Sequence, residues 1–438
     1  MRPWLIARYR TETGDLPHGN AVQEVLHGLD AEAWAGPERR VELRTAMRDG
    51  AYYLDLCDRE RNVVKCTRDG WSIVRDVPEL HFLRPTGMGA LPVPDPAGNL
   101  STLWDLLPTD PERDLADPDA TRILLTSWLL GAYHPNGPYP ILCLSGEQGS
   151  GKSTVARLLR FLVDPKGEDY RALLNRPPRE EQDLWVTALA QRVLALDNLS
   201  HLSSELSDAL AALATGGAHE SRKLYSDAET AFVPACRPIA MTAIGQVAVR
   251  GDLLDRSLQV SLPTIESACT EKAFWEAATA LRPLVLGGIM NCLCAALRHY
   301  DEVDHGELPR MADFAAWVLA MEAERDLLPW GPGEFSTVYA ENRQAGQRIA
   351  ADSSILTAPL LDIAKRGLSG TAADLLTALN TCVDPFTRDR PEWPKTPTRL
   401  STLLNELAPA LRAMGVSVAR KRVQGARVIA LSCYAEDG

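Results

Sequence analysis

Residues 141–154 read Ile141-Leu-Cys-Leu-Ser145-Gly146-Glu-Gln-Gly-Ser-Gly151-Lys152-Ser153-Thr154. The first five are an apolar run of strand length. The rest fits G-x-x-x-x-G-K-[ST], with Gly146, Gly151, Lys152 and Ser153 in register. Val155, Leu158, Leu159 and Leu162 then recur at helical spacing until Asp164-Pro165 ends the pattern. Strand, glycine-rich loop and helix together make a phosphate cradle. Glycines let backbone N–H groups turn inward, and the helix N-terminus adds partial positive charge. The loop residues Gly146, Glu147, Gln148, Gly149, Ser150, Gly151, Lys152, Ser153 and Thr154 are therefore the expected ATP-binding segment. Lys152 is expected on the β- and γ-phosphates and Ser153 on Mg²⁺.

Working outward, Arg192-Val-Leu-Ala-Leu-Asp197-Asn198 is a second buried strand with an acid at its end. An Asp there, 45 residues after the loop lysine, is placed to hold Mg²⁺ beside Ser153. Two β-prone runs around residues 220–233 flank a polar turn and read as a hairpin carrying Arg222 and Lys223. A third strand, Pro238–Ile244, ends near Thr242, and a fourth, Ser257–Leu262, follows Asp255-Arg256. Strands interleaved with helices predict an α/β domain with a mainly parallel sheet, and a ligand site at the carboxyl ends of its strands.

The order of these elements resembles superfamily 3 helicases, within the AAA+ class, in the style of phage and plasmid primase-helicase ATPases. The residues that carry the resemblance are Gly146 to Ser153, the strand to Asp197, the hairpin Arg222-Lys223-Leu-Tyr, the strand to Thr242, and Asp255-Arg256-Ser, over residues 120–263. It implies a hexameric ring of identical chains, with ATP between subunits, moving on single-stranded DNA and working alongside a primase. It makes Arg256 an arginine finger for a neighbour's γ-phosphate, where the plain alternative is a surface Arg before a strand. It puts Lys223 and Arg222 on DNA phosphates, where the alternative is a solvated, lysine-protected hairpin edge. The sequence departs from the pattern in two places. Asn198 stands where a second acid would activate water, and an amide cannot take a proton, so Glu205 or Glu220 would serve or hydrolysis is slow. Thr242 stands where an Asn is usual, and its hydroxyl can still hydrogen-bond phosphate or water. The expected catalytic set is Lys152, Asp197, Asn198, Thr242 and Arg256, with Ser153 and Asp197 as the metal ligands.

The flanks complete a four-part layout: an N-terminal α+β accessory domain and linker (1–118), the P-loop core (119–265), a helical region (266–366) and a winged-helix-like C-terminal domain (367–438). The accessory part starts with helices to about residue 35 and continues with short strands from about Arg40 to Val77. A Pro/Gly/Asp-rich stretch over residues 84–120 reads as a linker, and residues 119–133 as an amphipathic helix. Near the end, Thr396 is a plausible N-cap, Pro397 a first-turn proline and Gly415 a stop signal. Two strands follow. From Arg388 to Arg427 nine basic residues face three acidic ones. Arg420, Lys421 and Arg422 are the DNA-binding candidates there.

Composition narrows the classes. The 438 residues are 45% hydrophobic and 24% charged, as in ordinary soluble proteins, and the net charge is -12. Any nucleic-acid contact must come from local basic patches. The nine cysteines are scattered without a C-x-x-C pair, which points to neither a disulfide framework nor a zinc site, and to a cytoplasmic protein. The start, Met1-Arg-Pro-Trp-Leu-Ile-Ala-Arg8, has too short an apolar run for a signal peptide. Thr270–Arg298 reads as a helix, and its most apolar stretch, Leu284–Leu297, is too short to span a bilayer and is expected in the core. An alternative to the helicase is a regulatory or anti-phage defence ATPase that assembles on nucleotide without unwinding DNA, which Asn198 favours. A small-molecule P-loop kinase is a third reading, opposed by the hairpin and by Arg256.

Overall fold

The computed structural model describes residues 2–433 except 76, 79, 109–118, 168–174, 200, 201, 223–229, 244–250, 266–268, 305, 307, 309, 353, 424 and 425. The chain separates into two compact units, one of Met1–Glu42 with Val77–Leu83 and one of Leu43–Asp76 with Arg84–Gly438. The smaller unit holds two helices, Arg2–Thr13 and Gly19–Ala35, and a parallel pairing of Val41–Glu42 with His81–Phe82.

The larger unit is α/β. Its central sheet has four parallel strands in the spatial order Ser257–Ser261, Ile141–Ser145, Ile239–Ala243, Leu194–Leu199. The expected parallel sheet is present. Three of its strands are mostly apolar because both faces are covered, and Ser257–Ser261 keeps Leu258 and Val260 buried among polar residues. Leu142, Leu144, Ala240, Leu258 and Val260 point to one core, and Ile141, Cys143, Leu194, Leu196, Ile239 and Met241 to the other. Alternation with period two sorts them.

The first core is built on two helices. Ala120–Ala132 was expected to be amphipathic, but nearly every residue of it is buried, with Trp128 donating to Pro140 O at 2.9 Å. A small polar content (Thr121, Thr126, Ser127) does not make a solvent face when neighbours enclose the helix on all sides. The other helix is Glu271–His299, which matches the helix read over Thr270–Arg298 and contains the apolar stretch Leu284–Leu297. It is long and apolar enough to cross a membrane by length and composition, and 72% of its most apolar window is buried within the chain. A four-stranded antiparallel sheet (Thr45–Arg48, Ala51–Asp55, Val63–Thr67, Gly70–Val74) packs its Tyr52, Leu54, Val64 and Cys66 into this same core. A buried ion pair joins that sheet to the end of the helix after the loop. Arg44 Nη2 lies 3.1 Å from Asp164 Oδ1, and both side chains are buried. Asp164 Oδ2 also accepts from Arg192 N at 2.7 Å, so the carboxylate is satisfied, as a buried charge requires.

The third core runs from Leu356 to Leu431. Its order is helix Thr357–Lys365, strand Ser369–Gly370, helix Ala372–Cys382, helix Pro397–Ala413 and the hairpin Val416–Val423 with Ala426–Cys433. The three strands form one antiparallel sheet with Ala426–Cys433 central. Helix Thr357–Lys365, read from sequence as part of the preceding helical region, buries Leu360, Ile363 and Ala364 here. The caps behave as their chemistry dictates. Thr371 and Asp374 make a capping box, and Thr396 Oγ1 accepts from Arg399 N with Pro397 following. All nine cysteines are free thiols.

Candidate functional site

The loop Gly146–Gly151 joins the central strand Ile141–Ser145 to helix Lys152–Val163. Two glycines are required by its path. Gly146 has φ 142°, and a Cβ there would come 2.5 Å from Leu262 O. Gly151 caps the helix at φ 76°, and its Cβ would meet Ile265 Cδ1 at 2.9 Å. The strand exit at residues 262–265 therefore lies directly against the loop. Only a residue without a side chain leaves the backbone free to turn there. Ser150 is buried and donates to Glu147 O at 2.9 Å, which folds the loop on itself, while Glu147, Gln148 and Gly149 are exposed. Lys152 is 9% exposed. Its ammonium donates to Gly146 O at 2.8 Å, Glu147 O at 2.6 Å and Ser150 Oγ at 3.2 Å. The cation is thus held against the loop by three acceptors that an anion can replace. Thr154 follows in the first turn, half-buried.

Below the loop, three side chains from two strand ends and the helix converge. Ser153 Oγ donates to Asp197 Oδ1 at 2.8 Å, and Thr242 Oγ1 donates to the same oxygen at 2.6 Å. Asn198 N donates to Thr242 Oγ1 at 2.9 Å. The strand order explains this. Ile239–Ala243 lies between the loop strand and Leu194–Leu199, so Thr242 stands between Ser153 and Asp197. Thr242's single proton is committed to Asp197, so here its hydroxyl positions the acid. Asp197 Oδ2 has no partner among the described residues. One carboxylate and one hydroxyl, with the rest of the coordination left to phosphate and water, is the donor set suited to Mg²⁺. Among the described residues no cluster of three His, Cys, Asp or Glu side chains could hold a metal unaided.

Asn198 is exposed and has φ 59°. That left-handed backbone admits Asn readily and strains a longer side chain. Residue choice and backbone agree at this position. It coincides with a register irregularity, since the pairing of this strand with Ile239–Ala243 shifts between Met241 and Ala243.

A contribution that the sequence did not reveal comes from Asn175. Its N donates to Ala195 O at 2.7 Å and its O accepts from Asp197 N at 2.9 Å, so it pairs along the outer side of the acid-bearing strand. Buried Arg160 holds it, donating to Asn175 Oδ1 and Gln191 Oε1 at 2.8 Å each. A short polar segment in a Pro/Arg-rich turn carries no strand signal.

Arg256 is in the turn before Ser257–Ser261, and its O accepts from Ile141 N at 2.9 Å. That is the amino end of the parallel strands, whereas the loop is at their carboxyl end. Five residues of strand, roughly 16 Å, separate the two levels. Arg256 is therefore not brought to the loop of its own chain. Its neighbour Asp255 pairs with Arg310 at 3.3 Å. The expected hairpin is present as Gly217–Arg222 antiparallel to Thr230–Ala235. Arg222 ends its first strand, opposite Thr230, and Lys223 lies outside the described residues, as does the side chain of Arg222. Of the alternative bases, Glu205 is in the first turn of helix Ser204–Thr215, and the side chain of Glu220 lies outside the described residues. Arg420, Lys421 and Arg422 are exposed on Val416–Val423, in the third core's unit and away from the loop in sequence and sheet.

The family model described as the actinomycete integrative conjugative element replication protein matches residues 115–329, and that of the AICE RepA C-terminal domain matches residues 356–436. No curated protein matches significantly. Solved structures similar to the chain include the apo A form of the NrS-1 C-terminal region, at 10% identity and TM-score 0.31 over 85% of this chain and 94% of that one. They also include the RuvB Holliday junction branch migration motor of Thermotoga maritima, at 14% identity and TM-score 0.22 over 72% and 92%. Scores this low carry neither fold nor chemistry.

Proposed function

We propose, from the similarity to the replication protein of actinomycete integrative conjugative elements, that the chain is a DNA-replication ATPase with a superfamily 3-like, AAA+-type core. The carrying observation is the convergence of Ser153, Thr242 and Asp197 beneath a glycine loop that already grips Lys152. ATP would be held through its phosphates by the backbone of Gly146–Gly151 and by Lys152, and Mg²⁺ by Ser153 and Asp197. Mg-ATP supplies the transferable γ-phosphoryl group. The chain's own part is to place charge and hold geometry, which is most of what phosphoryl transfer needs. Thr242 keeps Asp197 aimed. Asn198 orients water without accepting its proton, so hydrolysis is slow unless another acid joins. Arg256 serves the loop of a neighbouring copy, because its own is a sheet's length away. A ring of such copies, expected as a hexamer, would move on DNA, with the hairpin at Arg222-Lys223 touching its backbone and a primase as a possible partner. The four-part division at residues 118, 265 and 366, with a winged helix last, belongs to the same reading. Asn198 also favours a second one, a regulatory or defence ATPase that assembles on nucleotide but does not unwind.

The test is binding of a fluorescent ATP analogue with Mg²⁺, mass by light scattering, and phosphate release with and without single-stranded DNA, for wild type and Lys152→Ala. The helicase reading expects tight binding lost in the variant, nucleotide-dependent growth in mass, and DNA-stimulated release. Assembly with hydrolysis indifferent to DNA leaves the regulatory reading. A wild type that binds no nucleotide ends both.

A further inference from the structure

We infer that the C-terminal unit carries a binding surface for duplex DNA, built from one face of helix Pro397–Ala413 and the outer half of the hairpin. The proposal rests on the reading of the chain as a DNA-acting protein and deepens it by naming the form of DNA and the residues that meet it.

The helix divides its faces cleanly. Leu400, Leu404, Leu407 and Leu411 are in the third core. Thr398, Thr402 and Asn405 follow at intervals of four and three, so they share a second stripe, and all are exposed. Arg399 and Arg412 flank the stripe and are exposed too. Short hydrogen-bonding side chains between two arginines are what a helix needs to read base edges in a major groove while its charges meet phosphates.

The hairpin changes character along its length. Val416, Val418, Arg420 and Arg422 share one face of their strand, and the residues opposite them are Cys433, Leu431, Ile429 and Arg427. At the base this face is apolar, with Val416, Ile429 and Leu431 buried. Towards the tip the same face becomes Arg420, Arg422 and Arg427, all exposed. Arg420 Nη2 donates to Ser401 O at 3.3 Å, so the basic end lies beside the helix at Ser401, whose neighbours on the helix surface are Thr398 and Asn405. Helix stripe and hairpin arginines make one continuous surface.

Among the described residues its charge is uncompensated, the side chain of Glu406 lying outside them. Arg422 and Arg427 are directly opposite in register, an unfavourable like-charge pair. None of Arg399, Arg412, Arg420, Lys421, Arg422 and Arg427 has a carboxylate partner among the described residues. In a chain of net charge -12 this is a local exception that a polyanion relieves. Neither the helix nor either strand of the hairpin contains an aromatic residue. Stacking platforms for single strands depend on aromatics, so the duplex is the form of DNA that this surface fits.

The experiment uses the whole chain and a fluorescent duplex of random sequence, about three helical turns long, with its single strand alongside, over a salt series. Wild type should bind the duplex more tightly than the strand. Replacing Arg420, Arg422 and Arg427 by Ala should weaken duplex binding roughly tenfold or more and lower the log-log salt slope by about 3. The Arg422→Ala, Arg427→Ala pair leaves the Arg420–Ser401 bond intact and should lower the slope by about 2. Thr402→Ala with Asn405→Ala should leave the slope unchanged but flatten the sequence preference obtained by selection from a random duplex pool. Unchanged affinity and slope in the triple variant overturn the proposal, and so does tighter wild-type binding to the single strand. A wild type that binds duplex through these residues but binds no ATP sustains it and ends the ATPase reading.

Discussion

At position 198 a backbone angle and a side chain meet the same requirement. The left-handed φ of 59° accepts Asn at little strain, and a Glu there would cost roughly 1 kcal/mol. Asp is short enough to keep the backbone and brings a carboxylate to the position after Asp197, where the proposed reaction lacks a base. Asn198→Asp should therefore raise phosphate release, up to roughly 10²-fold, with nucleotide affinity little changed. An unchanged rate would mean that the base is elsewhere or that this position does not face the attacking water. Thr242→Val is the companion experiment. It removes the donor to Asp197 and the acceptor for Asn198 N while keeping the shape. The expected result is a loss of Mg²⁺-dependent nucleotide affinity worth about 1–2 kcal/mol, with little loss in the absence of metal. Equal losses with and without Mg²⁺ would remove Thr242 from the role of positioning Asp197.

Among the elements, the helix Glu271–His299 shows most clearly how a local choice becomes architecture. Residues 95–100 lie directly on it. A Cβ on Gly287 would fall 1.9 Å from Asp95 O, and one on Gly98 2.4 Å from Gly288 N. Asp95 N donates to Pro283 O at 2.9 Å, which ties the segment down. Gly287→Ala should destabilise the chain by about 3 kcal/mol or more, read as a lowered urea midpoint, because backbone and not a movable side chain occupies the space. Gly28→Ala, in helix Gly19–Ala35 with nothing within 4 Å of the added Cβ, should be neutral to mildly stabilising. This same helix is legible in sequence as Thr270–Arg298, and the backbone continues through Pro283 for 29 residues. The Asn175 segment was missed, since a strand partner of one or two residues has no period to detect.

For the molecule as a whole, His134 links stability to pH. Burial lowers its pKa to about 4 from the usual 6.5, with Arg192 adding to the effect, and its Nδ1 accepts from Gly137 N at 3.1 Å, so the folded chain holds it neutral. Between those pH values the unfolded chain binds the proton and the folded chain does not. Stability is therefore fully present above about pH 6.5 and declines as pH falls towards about 4, by about 3 kcal/mol in total. Urea unfolding at pH 7 and pH 5 should show the decline in wild type and a flatter profile in His134→Phe, itself less stable at pH 7. Equal slopes would show that other groups carry the effect. The separation of Arg256 from its own loop has a consequence at this scale as well. Lys152→Ala and Arg256→Ala should each be inactive in ATP hydrolysis, and a mixture should regain activity, about a quarter of wild type for random assembly. A mixture as inactive as its components would end the shared-site reading.

The sequence by itself determined the glycine loop, the α/β character of the domain around it and the cap of helix Pro397–Ala413. Each is encoded within a few neighbouring residues, by glycines that must turn, runs that must be buried on both faces, and side chains that must satisfy their own helix ends. What the tertiary structure decided are the relations between distant segments. They include which strand lies between Asp197 and the loop, that Thr242's proton goes to that acid, that Arg256 is at the far end of the sheet, and that residues 45–74 share the main core. They also include the alignment of Arg420, Arg422 and Arg427 beside the helix at Ser401. These depend on strand order and packing, which arise from burying the whole set of apolar faces at once, and no local pattern carries that information.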